Sequence, residues 1–197
     1  MAADLLRFLL SIHSSDTDIT LLGHSMGGKV VMALALHPQT PSDLLRSLIV
    51  EDISPIKGKL SKEFEGYARA MRRIMDMGLK DRKEADQVLQ EIEPDLTVRQ
   101  FLLTNVSASP TPGGTLSFRV PPDIIADSMD HMGDFPFTSD DNVLFRKPTL
   151  VIRGAKSKYI KDSAIPMFSR FFPNHELATL NTGHWVSAVD RSDVVVI

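Results

Sequence analysis

The sequence predicts an α/β protein: a mostly parallel sheet covered by helices on both faces and interrupted by a helical insertion. Three observations predict it. Short apolar runs at residues 19–22, 48–50, 149–152 and 176–180 read as buried strands, each ending in a turn rich in glycine or acid. Stretches of helical periodicity alternate with these runs, as crossover-connected parallel strands require. Between the second and third runs lies a long segment of different character, far beyond the ~2–6 residues of an ordinary loop in an α/β unit.

Taken in order, Leu5, Leu6, Phe8, Leu9 and Ile12 recur at helical spacing, with Asp4 and Arg7 on other faces. A polar break at 14–18 precedes the strand Ile19-Thr20-Leu21-Leu22, which ends at Gly23. Helical pattern returns over 26–36 and is closed by His37-Pro38 and by Pro41. The strand Leu48-Ile49-Val50 runs into Glu51-Asp52 and then Ile53-Ser54-Pro55. In the long segment, Met71, Ile74, Met75 and Leu79 mark one amphipathic helix. Val98, Leu102 and Leu103 around Phe101 mark another, and Ile124, Ile125 and Met129 a third. Residues 107–114 read as a turn or flexible loop. The remaining strands end at Gly154 and at Asn181-Thr182-Gly183. The expected organisation is therefore a core from residues 1–55 and 143–197, with residues 56–142 as a helical cap over one end of the sheet. Repeats, low-complexity tracts and heptads are absent from the sequence.

Composition narrows the function classes. The 197 residues are 43% hydrophobic and 24% charged, an ordinary globular balance. A net charge of -3 and a pI near 6.1 give no basic field for a nucleic acid backbone. With zero cysteines there is neither a disulfide framework nor a thiolate metal site. No run approaches the ~20 apolar residues of a membrane span. The N-terminus has an acid before its apolar stretch and no basic leader, unlike a secretory or transit peptide. A soluble intracellular protein is the expectation.

The most informative stretch is Gly23-His24-Ser25-Met26-Gly27, a G-x-S-x-G pattern between an expected strand and an expected helix. A serine on such a turn projects above the sheet, and the glycines relieve crowding around it. The N–H of Met26 then points to where an oxyanion would form, reinforced by the helix N-terminus. Gly23 to Lys29 also satisfies G-x-x-x-x-G-K, a phosphate cradle. However, the next residue is Val30, with no hydroxyl to hold magnesium. Ser25 is the candidate nucleophile.

A serine hydroxyl needs a histidine to take its proton. Of six histidines only His184 lies late, in a Thr-Gly-His-Trp turn after an expected strand. His24, inside the nucleophile turn, reads as packing. For the acid, Asp52 ends the strand that follows the nucleophile helix, on the same edge of a parallel sheet as Ser25. It is favoured over Asp162, with Glu51 third. The loop after the third strand, Gly154-Ala155-Lys156-Ser157-Lys158, has Ser157 where an acid is usual. Asp127, Asp130, His131 and Asp134 read as a solvated face rather than a metal site. No metal and no cofactor are expected.

These residues carry a resemblance. Gly23-His24-Ser25-Met26-Gly27-Gly28-Lys29, Asp52-Ile53-Ser54-Pro55, Arg99-Gln100-Phe101-Leu102-Leu103-Thr104-Asn105 and Gly183-His184-Trp185 follow one another in a familiar order. The sequence resembles the mitochondrial α/β-hydrolases that include α/β-hydrolase domain-containing protein eleven and the fungal ethanol acetyltransferases. The resemblance implies the α/β-hydrolase fold and a serine hydrolase of esters or thioesters, with Ser25 and His184 in the family's catalytic positions. In the acetyltransferase branch it implies Asp52 as acid and acetyl transfer from acetyl-CoA to ethanol. It also implies a mitochondrial location, although no transit peptide is expected from the pattern of this N-terminus.

Set against that family, the expectation is a chain that lacks the early strands and a His-Gly oxyanion loop and whose last helix is cut short, at 191–197. A truncated chain with a partial sheet, an unpaired edge and one oxyanion donor is therefore expected. Losing one such donor costs ~10²–10³ in rate. The competing expectation is a catalytically inactive fragment that acts only as a binding module.

Overall fold

A computed structural model describes residues 1–14, 17–58, 62–109, 111 and 113–186 of the chain. The closing segment 191–197, expected as a shortened helix, lies outside them. The chain divides into two compact units: Met1–Gly58 with Asp134–Ile197, and Lys59–Gly133.

In the first unit, helix α1 (Ala2–Ile12) buries Leu9 and half-buries Leu5 and Leu6, while Phe8 and Ile12 stay exposed. Its apolar stripe is thus narrower than the sequence suggests. Strand β1 (Thr20–His24) leads into helix α2 (Met26–Leu36), then strand β2 (Ser47–Glu51). Helix α2 is apolar on nearly every face and buries Val31, Met32, Ala33, Leu34 and Leu36, as a central helix does.

The second unit holds α3 (Lys62–Asp76), α4 (Arg82–Gln90), α5 (Leu96–Leu103), the short antiparallel pair β3 (Val106–Ser107) and β4 (Ser117–Phe118), and α6 (Pro122–Met132). Its core gathers Met71, Ile74, Leu89, Leu102, Leu103 and Leu116. Asp81 and Asp95 cap α4 and α5, accepting the N–H groups of Lys83 at 3.0 Å and Thr97 at 2.7 Å. Arg99 is 6% exposed and braces this unit from within. Its Nε donates to Asp86 at 3.0 Å, and one Nη donates to the carbonyls of Glu93 at 3.0 Å and Pro94 at 2.8 Å.

The chain returns to the first unit with β5 (Thr149–Gly154), a 3₁₀ turn at Asp162–Ala164, α7 (Ile165–Phe171) and β6 (His175–Leu180). The four long strands form one parallel sheet in the order β1-β2-β5-β6. Leu48, Val50, Val151, Met32, Phe168, Phe171 and Phe172 fill its core, joined by Phe135 and, half-buried, Phe137. Parallel pairing in register brings the carboxyl ends of all four strands to one rim. Among the described residues β1 pairs only with β2, and Leu22 on it is 57% exposed. No helix among the described residues is long and apolar enough to cross a membrane.

Removing a partner from a buried ion pair leaves a charge and carbonyls without donors. Arg99→Leu is accordingly expected to lower stability by about 3 kcal/mol in urea unfolding.

Candidate active site

Ser25 occupies the step from β1 into α2 with φ 54° and ψ -121°, outside the regions ordinary residues favour. Two hydrogen bonds hold it there: its N–H donates to the Glu51 carbonyl at 3.0 Å, and its carbonyl accepts from Lys29 N–H at 3.2 Å. The turn closes only because its neighbours lack side chains. A Cβ on Gly23 would sit 2.5 Å from the Gly27 carbonyl oxygen, and one on Gly28 2.5 Å from Ile53 Cγ2. Met26 is the first residue of α2, where backbone N–H groups have no intrahelical acceptor.

Asp52 follows β2 with φ 45° and is completely buried. Its N–H donates to the Ile152 carbonyl at 2.8 Å, which fastens it to β5. Both carboxylate oxygens are engaged: Oδ1 accepts Gly154 N–H at 3.0 Å, and Oδ2 lies 2.8 Å from His184 Nδ1. His184 Nε2 is in turn 2.9 Å from Ser25 Oγ. A carboxylate offers only acceptors, so Nδ1 carries the proton and Nε2 is left to accept the serine hydroxyl. Residues 25, 52 and 184 thus form one unbroken chain of hydrogen bonds.

Gly154 sets the approach of the His184 loop, since a Cβ there would lie 2.2 Å from the Gly183 carbonyl oxygen. Backbone bonds from Ala155 N to Leu180 O (2.8 Å) and from Lys156 N to Thr182 O (3.0 Å) hold the two turns together. Around the imidazole stand Tyr159, His24 and Trp185, with ring centroids at 4.1, 4.7 and 5.7 Å. Sequence reasoning missed Tyr159, because nothing in Lys158-Tyr159-Ile160 signals a ring packed against a distant histidine.

The other candidates stand elsewhere. Asp162 pairs with Arg153 at 2.6 Å and its side chain is 84% exposed. Glu51 contributes its backbone carbonyl to the Ser25 turn, and Ser157 Oγ accepts Tyr159 N–H at 3.2 Å. Among the described residues no group of three or more His, Asp or Glu side chains could hold a metal ion.

Comparison with known proteins gives this arrangement its context. Residues 1–190 match the model of the alpha/beta hydrolase fold. The chain belongs to that family. Within the α/β hydrolases it is 38% identical over 186 residues to an abhydrolase domain-containing protein of Schizosaccharomyces pombe, covering 94% of this chain and 67% of that one. It is 35% identical over 178 residues to the sn-1-specific diacylglycerol lipase ABHD11 of Mus musculus, covering 88% of this chain and 55% of the relative. A solved marine microorganism esterase is 31% identical with a TM-score of 0.81, covering 95% of this chain and 70% of that one. Probable alcohol acetyltransferases of yeasts match at between 26% and 32% identity. These ties set the chain among enzymes of the α/β hydrolase fold, and it spans about half to two thirds of its curated relatives.

Beneath the serine turn, the Lys29 side chain is buried and Nζ donates to the Ile56 carbonyl at 2.7 Å. Desolvation lowers its pKa below 10.5, against the opposing pull of the Asp134 charge. The folded state therefore holds this proton less tightly than the unfolded chain does. Charged Lys29 weighs against folding at neutral pH, and that penalty fades as pH climbs toward 10.5. The urea midpoint of the native protein, measured against Lys29→Met, is expected to improve steadily over that range. Gly154→Ala is expected to cost about 1–3 kcal/mol and to displace the His184 turn, seen as lower stability with a shifted His184 imidazole signal in NMR.

Proposed function

We propose that this chain hydrolyses a carboxylic ester or thioester of a small molecule through Ser25, His184 and Asp52, by way of a covalent acyl-enzyme. The observation that carries the reading is the relay of 2.9 Å from Ser25 Oγ to His184 Nε2 and 2.8 Å from His184 Nδ1 to Asp52. Ser25 Oγ attacks the carbonyl carbon while His184 Nε2 takes its proton. Asp52, acceptor-only and buried, keeps the imidazole in the tautomer that can do this and stabilises the imidazolium that forms. Met26 N–H donates to the developing oxyanion. His184 then returns the proton to the leaving alkoxide or thiolate, and a water deprotonated by the same imidazole releases the acid.

Support for an acyl substrate comes from the names of the relatives, a diacylglycerol lipase and an esterase among them. Acetyl transfer from acetyl-CoA to ethanol is the second reading, favoured by the probable alcohol acetyltransferases. It differs only in the last step, where an alcohol rather than water takes the acyl group. Mitochondrial residence belongs to the same proposal and rests on the family resemblance.

A fluorophosphonate probe tests the chemistry. It is expected to modify the native protein, and Ser25→Ala and His184→Ala are expected to abolish the signal. Asp52→Asn should slow labelling by about 10⁴, while Asp162→Asn leaves it near the native rate. If Asp162→Asn alone abolishes labelling, the acid is Asp162. A folded native protein that takes up no probe leaves the binding-module reading. Products formed from acetyl-CoA with and without ethanol separate hydrolysis from transfer.

A further inference from the structure

The sheet order leaves one distance unfixed. Ser25 leaves β1 and His184 follows β6, which are the two ends of β1-β2-β5-β6. Neighbouring strands lie ~4.8 Å apart, so the two turns start some three strand spacings from each other. Backbone bonds fix the intermediate steps: Ser25 N–H to Glu51, Asp52 N–H to Ile152, and Ala155 N–H to Leu180. Each step spans a single strand boundary, and small errors in them add up across the rim.

One bond closes the span directly. His24 Nε2 lies 2.8 Å from the backbone carbonyl oxygen of His184, across 160 residues of sequence. A carbonyl only accepts, so Nε2 of His24 carries the proton and donates. The His24 ring also packs against Trp185 at 5.6 Å between centroids. We infer that His24 is a positioning residue whose Nε2–H latches the backbone of His184 to the serine turn and so fixes the distance from Nε2 of His184 to Ser25 Oγ. The inference rests on the hydrolase reading given above. Ser25 Oγ is met by Nε2 of His184 and not by His24, so His24 is not the base. It acts through the base beside it.

The geometry separates a latch from a filler. Glutamine can put an amide N–H where His24 Nε2 stands, whereas leucine fills the space without a donor. With p-nitrophenyl acetate as probe ester, His24→Leu is expected to lower kcat about tenfold while KM stays close to the native value, the loss of one positioning hydrogen bond. His24→Gln is expected to recover most of that loss. Leucine at native kcat, or glutamine as impaired as leucine, overturns the inference. A readout free of activity stands beside it: nitrogen NMR of labelled histidine in the native protein should report His24 protonated at Nε2, and a His24 whose Nε2 is bare overturns the latch. A native protein that neither turns over ester nor takes up the fluorophosphonate defeats the hydrolase reading, while the tautomer still decides the latch.

Discussion

A buried carboxylate must have its oxygens met, and the way Asp52 meets this demand organises the whole rim of the sheet. With no exposure to water, its two oxygens take Gly154 N–H and His184 Nδ1–H, while its own N–H is held by Ile152. Gly154 and Ile152 belong to β5 and His184 to the turn after β6, so a single residue after β2 gathers three strand ends. A charge buried without such partners would cost several kcal/mol, which makes the gathering obligatory rather than decorative. Because the three strands are parallel neighbours, their carboxyl ends are already in reach. The sheet supplies the proximity and the carboxylate supplies the alignment.

The same rim concentrates backbone strain. Ser25 and Asp52 are the only non-glycine residues with positive φ among those described, and they end adjacent strands. Strain of this kind costs of order 1–3 kcal/mol per residue, and it persists where the surroundings over-determine it. Here they do. The N–H of each strained residue donates to the neighbouring strand, Ser25 to β2 and Asp52 to β5, so relaxing either would break a ladder bond. Gly23, Gly28 and Gly154 let the turns crowd together where any Cβ would collide.

Much of this was legible in the residues. The four strands of the sheet, the helix after Ser25 and the helices around Met71, Phe101 and Ile125 have clear apolar patterns, and the structure has them. Helices α4 and α7 and the pair β3–β4 were not legible. Helix α4 is short and mostly polar, with only Ala85, Val88 and Leu89 buried, and α7 is short with a proline in its first turn. The strands of the pair are two residues each. At the candidate site, motif and strand order point to Ser25, His184 and Asp52, and the structure brings their side chains within hydrogen-bond reach. Tyr159 and the engagement of His24 could not, because both are contacts between turns far apart in the chain. Arg99 was legible only as part of a motif. Its structural task, holding two carbonyls and Asp86 inside the second unit, is a matter of packing that spacing does not encode.

The chain has a single tryptophan, and it follows His184 directly, with the two rings 5.7 Å apart between centroids. A charged imidazole at that range quenches indole emission more strongly than a neutral one. The His24 ring stands at 5.6 Å from the same indole, so intrinsic fluorescence is an optical gauge built into the protein, reporting how both imidazoles are seated in solution without any added dye.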